Sequence, residues 1–270
     1  MGDTMRFTRK TVVVTGAGRG IGAETARRFG AEGAAVVVAD LDLPSAQDVA
    51  ASLPKATAVQ ADVTSRDSLR SVVAQVTERQ GGVDVWVNNA ASCSDTPFLE
   101  LTPEEVQRDL AVTLVGPFFA SQEVIPGMIE RGGGVILNVS SVNASAYLGN
   151  EAYSAAKAGL ESLTRSVAVR FGAHGIRCNA VEPGSVATEA WEHRMALDPL
   201  VLEKVAQWYP LGRVGRPVDV ADSLLFLASD AASWITGAVL PVDGGLMAGN
   251  IALTRDIAPA GDDTDAAGDG

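Results

Sequence analysis

Cysteine is scarce in this chain: Cys93 and Cys178 are the two present. They have no metal-ligand spacing, and two thiols suggest no disulfide framework. Positive charge is short as well. Twenty-one Lys and Arg stand against 33 Asp and Glu, a formal charge of −12, which argues against nucleic acid or an anionic membrane as partner. No apolar run reaches transmembrane length, and the opening segment MGDTMRFTRK lacks the apolar core of a signal peptide. A reduced, cytoplasmic compartment is the expectation.

What is present fits a globular α/β protein. The chain has 270 residues, 47% apolar and 20% charged, enough for one domain with a large core. Thr11–Thr15 (TVVVT) reads as a buried strand, followed by a glycine-rich loop and helical periodicity from Ile21 to about Glu32. Strands are then predicted at Ala34–Ala39, Thr57–Ala61, Val83–Val87, Gly134–Val139, Ile176–Val181 and Ala238–Val242. Helices are predicted near Ser45–Leu53, Ser65–Gln80, from about Pro103 to Ile129, at Ala152–Arg170 and at Pro217–Ser229. Strands alternating with helices give a single doubly wound (Rossmann-type) parallel sheet, helices on both faces. The rhythm breaks after Gly184, so a lid insertion is expected over about 188–215, with a weak helix around Leu200–Gln207. The domain is drawn as 1–253, and the acidic tail 254–270 reads as disordered.

The first loop carries a physical signal. Gly16, Gly20 and Gly22 lie between a strand and a helix N-terminus. Glycine there permits a tight turn and close backbone approach, and the helix N-terminus offers free N–H groups to a pyrophosphate. The spacing differs from G-x-G-x-x-G, and a glycine triplet alone is also a plain turn. Asp40 ends the second strand, where a carboxylate can bond both hydroxyls of an adenosine ribose and repel a 2′-phosphate. Asp42 competes for that role, and Arg19 pulls the other way by tolerating a phosphate. The balance favours NAD, with NADP the lesser candidate.

Tyr153 and Lys157 are four apart on a predicted helix and share one face. A fixed cation near a phenol favours phenolate, and a phenol so tuned can exchange a proton with an alcohol or ketone. By itself the spacing is common on ordinary solvated helices.

Taken together, Thr15-Gly16-Ala17-Gly18-Arg19-Gly20-Ile21-Gly22, Asn88-Asn89-Ala90, Ser141, Tyr153-Ser154-Ala155-Ala156-Lys157 and Pro183-Gly184 resemble, in order, the motifs of the short-chain dehydrogenase/reductase family. The resemblance covers roughly residues 10–250. It implies hydride transfer between a nicotinamide cofactor and a secondary alcohol or ketone. By it Tyr153 is the acid/base, Lys157 holds the nicotinamide ribose and lowers the Tyr pKa, and Ser141 orients the substrate oxygen, with Ser140 the fallback. It also implies a cofactor site of Gly16, Arg19, Gly20, Ile21, Gly22, Asp40, Tyr153 and Lys157. Asp62 with Val63 joins them at the adenine edge, Asn89 and Ala90 at the floor, and Pro183, Gly184, Val186 and Thr188 toward the carboxamide. A homo-oligomer, tetramer favoured, follows by the same resemblance. The lid aromatics Trp191, Trp208 and Tyr209 are either substrate contacts or core anchors.

Three positions depart from the family pattern. Ala91 replaces a glycine. Glu182 precedes the Pro-Gly turn, facing either pocket or solvent. Thr113 stands where the long helix usually carries a catalytic Asn, and its hydroxyl is expected to turn back to the Asp109 carbonyl. Thr113 and Ala91 keep a second class open, an NAD-binding fold with little or no turnover that serves as sensor or scaffold, against which the intact Ser141, Tyr153 and Lys157 argue.

Overall fold

Seven parallel strands carry the architecture: β1 Thr11–Thr15, β2 Ala35–Asp40, β3 Ala56–Gln60, β4 Val85–Asn88, β5 Gly134–Val139, β6 Ile176–Pro183 and β7 Val239–Val242, in the order β3-β2-β1-β4-β5-β6-β7. The structure is a computed structural model that describes residues 5–250 with Leu253 and Ile257. Apart from Ile257, the tail expected to be disordered lies outside the described residues. The chain order reverses between β1 and β4, which opens a crevice at the C-terminal strand ends.

The strand runs are apolar on both sides because both faces are covered. Val12 and Val14 pack with Ala26 and Phe29 of α1 (Gly20–Ala31), Val49 of α2 (Leu43–Ala51) and Leu224 of α9 (Pro217–Ala228). Val13, Trp86 and Ile136 face the other layer, against Leu69 of α3 (Arg66–Gln80), Val124 of α5 (Gly116–Glu130) and Val167 of α6 (Glu151–Phe171). Each such side chain stabilises by roughly 1.5–3 kcal/mol on full burial, so alternate residues of one strand hold opposite layers in place. A chain of buried polar groups also crosses the second layer. Trp86 donates to Asn88, Asn88 to Asn138 and Asn138 to the Thr164 hydroxyl of α6, each at 2.8 Å. This chain keys α6 to the sheet, and α6 carries Tyr153 and Lys157.

The predicted long helix is broken in three. α4 (Pro103–Leu110) begins with a capping box on Thr102 and Glu105, Ala111–Val115 form a π turn, and α5 follows. Gly116 N–H reaches back five residues to the Ala111 carbonyl, and Pro117 has no N–H to close the Thr113 carbonyl in the α-helical way. By length and apolar composition the stretch Pro103–Glu130 would suit a membrane. No run of that length was expected from the sequence. Here its apolar side packs on α3 and the sheet, as a core helix does.

β6 runs two residues beyond the expected end, through Pro183. The lid then forms a short turn at Glu189–Trp191, α7 (Glu192–Leu197) and α8 (Val201–Ala206). α7 was not predicted: six residues without a capping side chain leave little periodic signal. Val186 bridges to Gly215 and ties the two ends of the lid together. Tyr209 is a core anchor, with its hydroxyl accepting from the Ser185 N–H at 2.6 Å, whereas Trp208 is exposed.

Candidate active site

The glycine loop needs its glycines for two reasons. Gly16 has φ 61°, and a side chain there would start 2.8 Å from the Ala90 backbone. At Gly22 a side chain would collide with the Gly16 carbonyl and the Asn89 amide. Asn89 in turn donates to the Thr15 and Gly16 carbonyls at 2.9 Å, and the Thr15 hydroxyl accepts from the N–H of Asn89 and Ala90. The end of β4 is thereby stitched to the loop, and the first turn of α1, including Ile21, presents its N–H groups beside it.

Asp40 braces the same loop. One oxygen accepts from Gly18 N–H at 2.8 Å and the other from Asp42 N–H at 3.0 Å. The competing Asp42 accepts from Ser45 at the start of α2. Arg19 is exposed and has no ion pair among the described residues. Asp62 accepts from the N–H and hydroxyl of Thr64, as a turn residue does, and Val63 packs on Gly116. A cleft of about 480 Å³ runs between the glycine loop and the lid, lined by Gly18, Arg19, Gly20, Thr188 and Glu189. A backbone that side chains would block, a helix N-terminus and an acid at the β2 end together suit a dinucleotide.

Ser141, Tyr153 and Lys157 meet at the ends of β5 and α6. Ser141 interacts with the Tyr153 phenol and donates to Asn143 at 3.1 Å. The fallback Ser140 is turned away, donating to the buried Glu161 at 2.8 Å. Lys157 is buried, donates to the Val139 carbonyl and stands 5.3 Å from the centre of the Tyr153 ring.

The expected lowering of the phenol by Lys157 is absent. Burial pushes Tyr153 up to about 12, and the Ser141 hydrogen bond pulls only partly against it. Burial also lowers Lys157 to about 7. Loss of water is the largest cause of both shifts, and it opposes the charged form of each group.

A pH test follows. The folded value of Lys157 lies below its ordinary 10.5, so above about pH 7 the unfolded chain binds a proton that the folded one releases, and stability rises with pH. Above roughly pH 8.5–9 the raised Cys93, Cys178 and Tyr153 act oppositely, since their folded forms keep protons the unfolded chain loses. The melting temperature of the ligand-free protein should therefore rise between roughly pH 7 and 8.5, and Lys157→Met should remove the rise. A flat wild-type curve would mean that Lys157 is charged when folded.

Thr113 behaves differently from expectation. It is fully buried, and its hydroxyl accepts from Ser92 N–H and donates to the Ser92 carbonyl, both at 3.1 Å, not to Asp109. The π turn swings it toward the loop after β4, which the Asp109 carboxylate also grips through the Ser92 hydroxyl and Ser94 N–H. Glu182 does not face solvent: it is buried and accepts from the Ser145 hydroxyl at 2.5 Å. Asn138, Asn143, Asn150 and Asp95 join this network although no motif or spacing singles them out. Only Asn150 leaves a trace, a Gly-Asn pair just before α6. Among the described residues no group of three or more His, Cys, Asp or Glu is placed to hold a metal.

A doubly wound sheet with a glycine-rich loop at its switch point and a Ser-Tyr-Lys cluster beside it defines a dinucleotide-binding oxidoreductase. The family model described as Enoyl-(Acyl carrier protein) reductase matches residues 16–247. L-rhamnose 1-dehydrogenase (NAD(P)(+)) of Azotobacter vinelandii is 42% identical over 254 residues, 90% of this chain and 98% of that protein. The 7alpha-hydroxysteroid dehydrogenase of Escherichia coli K12 is 35% identical over 248 residues, 90% of this chain and 96% of that one. A solved short-chain oxidoreductase of Burkholderia thailandensis superposes with TM-score 0.86 at 40% identity, covering 92% of this chain and 96% of its own. The chain belongs to the short-chain dehydrogenase/reductase family.

Proposed function

We infer that the protein is an NAD-preferring dehydrogenase of secondary alcohols, or reductase of their ketones. The observation that carries this reading is the meeting of Ser141, Tyr153 and Lys157 at the ends of β5 and α6, in a fold whose glycine loop opens on a cleft of its own. Gly16, Gly20, Gly22, Asn89 and Ala90 cradle the cofactor, Lys157 holds its nicotinamide ribose with the Tyr153 ring packed beside it, and Val186 and Thr188 close over it. A nicotinamide bound there supplies or accepts the hydride. Tyr153 carries the proton of the substrate oxygen, and Ser141 donates a hydrogen bond to the same atom. With the phenol pushed up to about 12, the protonated form prevails near neutrality, ready to donate to a ketone. Oxidation requires that a bound, charged partner favour the phenolate.

Asp40 supports NAD over NADP, since its carboxylate would face a 2′-phosphate. Relatives named for a sugar and for a steroid leave the substrate to the lid. Exposed Phe118 on α5 and Val169 on α6 support a homo-oligomer, with a tetramer as the proposal. The test is absorbance at 340 nm with NAD and NADP against sugars, polyols, cyclic alcohols, hydroxysteroids and the matching ketones. Turnover with NAD preferred is expected. Tight binding of either nucleotide without turnover across the panel would point to a sensor or scaffold.

A further inference from the structure

One hydrogen-bonded path runs from the lid to the catalytic serine. Arg194 of α7 pairs at 2.5 Å with Asp95, 99 residues away in the loop after β4. The same Asp95 oxygen accepts from the Asn150 amide at 3.2 Å, which also donates to the Ser94 carbonyl at 2.9 Å. Asn150 caps α6 in a left-handed conformation, φ 54° and ψ 61°. A non-glycine residue stays there only where its surroundings hold it. Its carbonyl accepts from the N–H of Ser154 at 2.8 Å and from the Ser154 hydroxyl at 2.9 Å. Asn143 donates to that hydroxyl at 3.3 Å and accepts from Ser141 at 3.1 Å.

The lid end of this path stands beside the chemistry. The Cys93 thiol, two residues before Asp95, is pushed up by burial and then by Asp95 and Asp109, while Arg194 and Lys157 pull it down, so it lies within reach of both the lid pair and the lysine. Arg194 is further steadied over the Trp191 ring at 5.2 Å. Yet both partners are about half exposed, with side chains 42% and 62% accessible. An ion pair that wet contributes little to holding the fold. What it does fix is where the lid rests.

We propose that Asp95 is a positioning residue that couples lid closure to the placement of Ser141 and Tyr153. With Arg194 docked, Asp95 keeps a charge-assisted grip on Asn150, and the Asn150 cap sets the first turn of α6, on which Tyr153 sits. With the lid lifted, Asp95 is freed toward water and the cap loses one of its two holds. Closure over a substrate thereby completes the catalytic arrangement. The activity arm of the test rests on the dehydrogenase reading above.

The experiment is a double-mutant cycle of Arg194→Met and Asn150→Gly in the full chain with cofactor. Glycine adopts the left-handed cap without strain, so Asn150→Gly removes the side chain and keeps the backbone; its melting temperature checks this, and Asp95→Asn replaces it if folding fails. Each single variant should lower kcat by roughly three- to tenfold with the cofactor KM little changed. The double variant should be no worse than the poorer single. Multiplying losses, or a wild-type kcat in either single variant, overturns the proposal. A second arm needs no turnover: trypsin cleavage of the lid after Lys204 should run severalfold faster in Asn150→Gly than in wild type. An unchanged rate refutes the coupling, whereas wild-type inactivity on every substrate counts against the dehydrogenase reading.

Discussion

Tyr153→Phe should lower kcat by roughly 10²–10⁴-fold and leave cofactor affinity near wild type. The variant removes one oxygen and keeps the ring. Lys157, 5.3 Å from the ring centre and bonded to the Val139 carbonyl, therefore keeps its packing and its own partner. What disappears is the only group in this reading that carries the substrate proton. The raised phenol sharpens the expectation. At about 12 the hydroxyl stays protonated across the accessible pH range, so ketone reduction should depend on it as donor. Steady-state kcat with the best ketone, beside the NADH dissociation constant from nucleotide fluorescence, checks both halves. A variant that keeps near wild-type kcat would remove Tyr153 from the mechanism.

Asp40→Ala should shift the NAD/NADP preference by roughly ten- to a hundredfold toward NADP, as the loss of charge-assisted hydrogen bonds suggests. The structure adds a second consequence. Asp40 also accepts from the Gly18 and Asp42 N–H groups, so the substitution loosens the glycine loop and weakens both cofactors. The ratio of kcat/KM values, in which the shared loss cancels, is therefore the informative measure. Arg19, exposed at the start of α1 and without an ion pair among the described residues, is the cation able to meet the added phosphate. A wild-type enzyme that already prefers NADP would refute the role given to Asp40.

Local and periodic signals are legible in the amino-acid order alone. Uninterrupted valines at Val12–Val14 and Val36–Val38 mean strands covered on both faces, and every predicted strand is present, with ends moved by up to two residues. The order of the glycine loop, Ser141, Tyr153 and Lys157 is enough for the family, because each motif depends on near neighbours in the chain. The break in the long helix is different. Pro117, which cannot close the Thr113 carbonyl, is visible in the chain, but Gly116 meeting Val63 and Thr113 bonding Ser92 are partners that leave no period in the sequence. The direction of the Tyr153 shift also requires the fold. Spacing tells that Lys157 shares its helix face, but the pKa depends on how much water both groups lose, and that is decided by packing against distant segments such as β5, whose Val139 carbonyl takes the Lys157 ammonium. For Glu182 the residue order allows pocket or solvent alike, and its contact with Ser145 makes the choice. Which backbone segments form, and which chemistry they carry, is written in neighbouring residues. Which distant side chains share protons and charge is set by packing alone, because those contacts join residues as far apart as Asp95 and Arg194.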